Sequence, residues 1–97
     1  AMSLLTTPSH PGEVLSELYL LPLSLKAPTL AKKLRVPRTR IERLVKGETA
    51  VTADTAMRLA AFFQTTPEYW MNLQRAWDLA RARATVDVSD IEPLRAA

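Results

Sequence analysis

Cysteine is absent from this 97-residue sequence, which excludes both a disulfide framework and a thiolate metal site. A single histidine, His10, is too few for an all-protein zinc site. Glycine occurs only twice, so no glycine-rich phosphate loop can be assembled. The longest apolar stretches, around residues 18–25 and 60–63, fall far short of the roughly 20 residues that cross a bilayer. No basic segment precedes an apolar run at the start, so no signal peptide is expected. Ala1 ahead of Met2 reads as a remnant of cloning, with Met2 the natural start. These absences point to a cytoplasmic, reducing location, to no cofactor, and to no membrane partner. They also make an enzyme the least supported class, since no nucleophile with a partner base and no paired-carboxylate site emerges.

What is present is globular: 47% of the residues are apolar and 24% charged. The length suits one domain, which buries only about 60 to 65% of the surface its unfolded chain exposes, so a large enclosed cavity is not expected. The net charge is only +3, but eight of the thirteen basic residues fall between Lys26 and Gly47, opposed there by Glu42 alone. Elsewhere five basic residues face nine acidic ones. One cationic patch on a nearly neutral body is the footprint of a nucleic-acid surface, the simpler alternative being a solvated basic face.

Proline at intervals, scarce glycine and little β-branched alternation predict an all-α chain of helices joined by short turns. Residues 1–9 read as a loose lead-in, residues 10–84 as the domain and residues 85–97 as a tail. Pro11 opens a first helix with Glu13 in its first turn, Val14, Leu15, Leu18 and Leu21 recur at helical spacing, and Pro22 stops the run. A second helix over about 27–34 turns Leu30, Ala31 and Leu34 inward. A third starts at Pro37 and ends at Gly47, suited to the left-handed residue that closes a helix. Thr52 caps a fourth, whose Ala56, Leu59, Ala60 and Phe63 form a stripe to be buried. Thr66, Pro67 and Glu68 start a fifth that reaches about residue 84 and is roughly 27 Å long. In the tail, Val86 and Val88 alternate with Asp87 and Ser89, which fits a short strand or, preferably, a frayed end.

Two short helices at a tight turn, the second basic and amphipathic, are what a helix-turn-helix requires. On a helical wheel Pro37, Ile41 and Leu44, with Val45 at their edge, take the packed side of the third helix. Thr39, Glu42, Arg43 and Lys46 lie opposite, flanked by Arg38 and Arg40, facing a major groove wide enough to admit a helix. Arginine donates two parallel hydrogen bonds to guanine, so Arg38 and Arg43 are the candidates for direct base readout. Thr39 suits a thymine methyl or a phosphate. Glu42 either accepts from cytosine N4 or pairs with Arg38 at i, i+4. Arg40, Lys46, Lys32 and Lys33 are assigned to the DNA backbone, where contacts fix register without reading sequence.

The segment from Leu30 to Leu44, LAKKLRVPRTRIERL, resembles the helix-turn-helix of Cro/C1-type (XRE-family) regulators. His10-Pro11-Gly12-Glu13 opening the first helix, with Pro67-Glu68-Tyr69-Trp70-Met71-Asn72-Leu73-Gln74 opening the last, narrows the resemblance to HigA/VapI-like antitoxins of addiction modules. The resemblance covers nearly all of residues 10–84. It implies a five-helix, lambda-repressor-like domain that binds double-stranded operator DNA of palindromic sequence as a homodimer. It further implies repression of its own operon and a small RelE-like ribonuclease toxin as protein partner. There are two departures from the family pattern. Lys26, Ala27 and Pro28 stand where a serine or threonine cap and a glutamine brace a phosphate, so Lys26 substitutes as a point charge. Arg35 stands where the turn carries glycine, at a cost on the order of 1 kcal/mol if it is left-handed. Either the turn is altered or Arg35 gains a phosphate contact.

His10 reads as a helix-opening residue and not a catalytic base. Trp70 and Trp77 lie two turns apart on one face; core packing is the reading for Trp70, and Trp77 is assigned to a dimer contact, where large aromatics are common. Asp54, Glu68 and Asp78 read as helix-start or surface acids. Two further readings stay open at the sequence level: a solitary XRE-type transcriptional regulator without a toxin, and a protein-interaction adaptor whose basic patch binds an acidic partner.

Overall fold

The computed structural model describes residues 7–95, so the start at Met2, most of the lead-in over residues 1–9, and residues 96–97 of the tail lie outside the described residues. Among these residues five helices succeed one another: α1 (Pro11–Leu15), prolonged by a π-helical turn over Ser16–Leu20, then α2 (Ala27–Leu34), α3 (Arg38–Val45), α4 (Ala53–Phe63) and α5 (Pro67–Thr85). Among the described residues there is no strand. Three helices start on side-chain caps. The His10 ring nitrogen Nδ1 accepts from the Gly12 N–H at 2.9 Å, Thr52 Oγ1 from the Thr55 N–H at 3.3 Å, and Thr66 Oγ1 from the Tyr69 N–H at 3.1 Å. Each satisfies a donor that the first helical turn leaves unpaired. The cap on α1 needs Nδ1 unprotonated, and burial of the ring does lower the His10 pKa.

The first helix differs from the expected pattern. Val14 and Leu15 are buried, but Leu18 and Leu21 are 47% and 64% exposed, while Leu20 and half-buried Tyr19 turn inward. The π-helical turn is the reason. In it the Leu21 N–H reaches back five residues to the Ser16 carbonyl, so the inward stripe slips from the spacing an α-helix predicts. The chain leaves the helical turn at Leu20, just before Pro22.

Leu15, Leu30, Ile41, Leu44, Leu59 and Trp70 make the centre of the core. Trp70 is fully buried, as expected, with Tyr19, Phe63 and Tyr69 rings 5.1, 6.3 and 5.0 Å from it. Its indole N–H donates to Thr65 Oγ1 at 2.8 Å, which satisfies the one polar atom the ring carries inward. The Tyr19 hydroxyl donates to that of Tyr69 at 3.3 Å, and burial pushes the Tyr69 pKa up to about 12.

Two contacts hold α3 in position. Gly12 places the backbone of α1 directly on the last turn of α3: a Cβ added there would lie 2.6 Å from the Leu44 carbonyl carbon and 3.1 Å from Val45 Cα. On the other side Gln74 of α5, itself buried, accepts the Val51 N–H at 2.7 Å through Oε1 and donates through Nε2 to Asp78 at 2.9 Å. The loop from α3 to α4 is thereby tied to α5. Beyond Gln74 the last helix outruns the core. Leu79 is exposed, as are Val86, Val88, Ile91 and Leu94 of the tail, and among the described residues the valine alternation forms no strand.

Candidate nucleic-acid interface

The candidate interface is centred on the turn between α2 and α3. Arg35 has φ 60° and ψ 45°, the left-handed conformation, so the turn keeps its shape without glycine. The Val36 N–H bonds to the Ala31 carbonyl at 3.0 Å and the Arg35 N–H to the Lys32 carbonyl at 3.2 Å, closing α2 in the manner glycine usually permits. The Leu34 carbonyl takes a 2.8 Å hydrogen bond from Arg58 of α4 instead. Because Arg35 carries a Cβ in a strained region, Arg35→Gly should stabilise the fold by about 1 kcal/mol in denaturant unfolding. If Arg35 also meets a phosphate, the same variant binds operator and random DNA more weakly, with a smaller salt dependence. Lower stability would contradict the left-handed turn.

Two of the expected boundaries of α3 change. Pro37, with ψ 142°, precedes the helix as its cap residue, and it is exposed, not part of the packed side. An extended ψ takes it off the helical projection that grouped it with Ile41 and Leu44. At the other end the helix stops at Val45, and Gly47, at φ 76°, is the left-handed residue that closes it. The Gly47 N–H meets the Leu44 carbonyl and the Glu48 N–H the Arg43 carbonyl, both at 2.9 Å, a complete Schellman arrangement. Ile41 and Leu44 are buried to 0% and 1% exposure, with Val45 half-buried beside them.

Arg38, Thr39, Arg40 and Arg43 are exposed on the outer side of α3, and Glu42 is half-buried among them. Glu42 sits 3.6 Å from Arg38, so in the free protein it is the i, i+4 partner. Thr39, Arg40 and Arg43 line one shallow groove with Thr52 and Asp54. Lys32, Lys33 and Arg35 line a second with Pro28 and Thr29. The structure does not gather every basic residue there. Lys46 opens onto a cleft with His10, Glu13, Glu17 and Trp77, and Lys26 onto another with Leu20, Leu21 and Val45. The α2 start at Lys26 has no side-chain cap. Trp77 is half-buried, edge-on to the His10 ring at 5.3 Å and 78°, with the Arg81 guanidinium 5.4 Å from its ring.

Asp54 is more than a helix-start acid. It receives Arg58 Nε at 3.0 Å and forms an ion pair with Arg40 across the helices. Those two guanidinium groups, Arg58 first, hold its carboxyl below the usual aspartate range. The Arg58 partner is legible in sequence as an i, i+4 pair; the Arg40 partner comes only from the packing of α3 against the start of α4.

A left-handed turn between two short helices, the second seated by its apolar side with arginines outward, defines a helix-turn-helix domain. A family model described as Helix-turn-helix matches residues 23–70. Virulence-associated protein I of Dichelobacter nodosus is 47% identical over 75% of this chain and 68% of its own length. Antitoxin HigA-1 of Vibrio cholerae serotype O1 is 35% identical over 90% of this chain and 84% of its own. The structure of Pseudomonas aeruginosa antitoxin HigA with the higBA promoter superposes with a TM-score of 0.86 at 35% identity, covering 91% of this chain and 99% of that one. The chain belongs to the HigA/VapI-like group of the XRE-type helix-turn-helix family, a family of DNA-binding regulators and antitoxins and not of enzymes. Among the described residues no helix is long and apolar enough to cross a membrane.

Proposed function

We propose that this chain is the antitoxin of a toxin-antitoxin pair, which binds a palindromic operator as a homodimer, represses its own operon and neutralises a small RelE-like ribonuclease toxin in the cytoplasm. The observation that carries the DNA-binding part is the seating of α3: Ile41 and Leu44 are buried while Arg38, Thr39 and Arg43 face outward. Those three side chains read bases, with Glu42 either released to a cytosine or left braced on Arg38. Lys32, Lys33 and Arg35, lining one groove, grip the backbone, and Lys26, Arg40 and Lys46 extend the grip at its margins. A second copy packs against the part of α5 that outruns the core, where Trp77 is half-buried. The antitoxin reading is supported by relatives such as HigA-1 and by the promoter-bound HigA neighbour.

Selection of bound duplexes from a random pool is the test. The expected product is a palindrome whose half-sites lie about one helical turn, roughly 34 Å, apart. A pool that yields no preferred sequence overturns the reading. Capture by this chain of the small protein encoded beside it, with loss of that protein's ribonuclease activity, is the expected sign of the toxin partner. A palindrome without such capture makes it a solitary regulator.

A further inference from the structure

The arginines on the outer side of α3 are not equivalent in the free protein. Arg38 shares its own helix with Glu42, and Arg43 has no ion-pair partner among the described residues. Arg40 alone is tied to another helix, through Asp54. The Asp54 carboxylate is held from two sides, since Arg58 reaches it at 3.0 Å and anchors at the same time to the Leu34 carbonyl at 2.8 Å. It forms a wall of the groove that Thr39 and Arg43 also line.

A negative charge in that position occupies a guanidinium that would otherwise neutralise a phosphate on any sequence. Both side chains are near half exposed, 41% for Arg40 and 54% for Asp54, and an ion pair in such a setting is weak. Closely docked DNA can break it. Loosely held DNA, lacking the base contacts that draw α3 into the groove, does not. We propose that Asp54 is a specificity determinant that keeps Arg40 off the backbone of non-operator DNA, so that discrimination depends on the pair they form. The inference rests on the operator-reading function proposed for this chain.

The test titrates the wild-type chain, Asp54→Asn, Arg40→Gln and the double variant against the selected operator and a random duplex across a salt series. Asp54→Asn is expected to raise affinity for random DNA roughly tenfold at low salt and to steepen its salt slope by about 0.9, the value of one phosphate contact. Operator affinity rises less, so the ratio between the two falls. Arg40→Gln lowers operator affinity, and in that background Asp54→Asn no longer steepens the random-DNA slope. Arg40→Gln on its own keeps the test decisive if Asp54→Asn loosens α4. Equal gains on both duplexes, a slope change that survives Arg40→Gln, or a flatter random-DNA slope in Arg40→Gln alone overturns the proposal while operator preference stands. A wild-type chain that shows no operator preference removes the function on which it rests.

Discussion

Gly12→Ala should lower the stability of this domain by about 3 kcal/mol, and with it the capacity to bind DNA. Helix propensity alone predicts the opposite sign, because alanine exceeds glycine inside a helix by up to about 1 kcal/mol. The tertiary contact decides. A methyl at Gly12 would meet the Leu44 carbonyl group and Val45 Cα, with the carbonyl carbon only 2.6 Å away. Both are backbone atoms in the last turn of α3, already fixed by the hydrogen bonds to Gly47 and Glu48. Neither can swing aside as a side-chain tip would. Relief therefore requires α1 to lift from α3, which uncovers Leu15 and loosens the seat of α3. For a domain of this length such a loss lowers the unfolding temperature by more than roughly 10 °C. Thermal unfolding with a DNA titration of the same sample reads both effects. Unchanged or higher stability would show that α1 and α3 do not approach so closely.

Gly12 also marks the limit of what the sequence discloses. The helices of this chain are legible because their signals are local: Thr52 and Thr66 cap α4 and α5, Gly47 closes α3, and the stripes of α2 and α4 keep helical periodicity. The outward arginines of α3 are legible for the same reason, as a wheel needs only spacing. The first helix misleads because Leu18 and Leu21 keep the α-helical interval while the backbone does not, and nothing in their residue types announces a π-helical turn. Pro37 stands one residue outside α3 and not at the first helical position that proline favours, because its ψ is extended. Gly12, Gln74 and the Arg40 partner of Asp54 are hidden for a different reason. Each acts between different elements, and a single sequence shows a glycine, a glutamine or an aspartate without showing what lies opposite. The motif His10-Pro11-Gly12-Glu13 carries the glycine into the family resemblance while leaving its packing role invisible.

Arg43→Ala and Lys33→Ala should separate base reading from backbone grip. Arg43 lies on the exposed side of α3, one residue before buried Leu44, so its position is set by the core while its guanidinium remains unpaired among the described residues. An arginine in that state loses little on meeting a guanine edge and gains two charge-assisted hydrogen bonds. Its removal is expected to weaken operator binding by about 1 to 3 kcal/mol and to relax preference at one base pair of each half-site, leaving random DNA much less affected. Lys33 faces the other groove, beside Lys32 and Arg35, on the helix that crosses the backbone. Its removal takes away one neutralised phosphate on any duplex, so both DNAs bind more weakly by the same factor and the salt slope falls by about 1. The stability of neither variant should change by more than about 0.5 kcal/mol, since both side chains are exposed. The contrast is the measurement: equal losses on operator and random DNA for Arg43→Ala would place it on the backbone, and a base-specific loss for Lys33→Ala would mean that α2, and not α3, enters the groove.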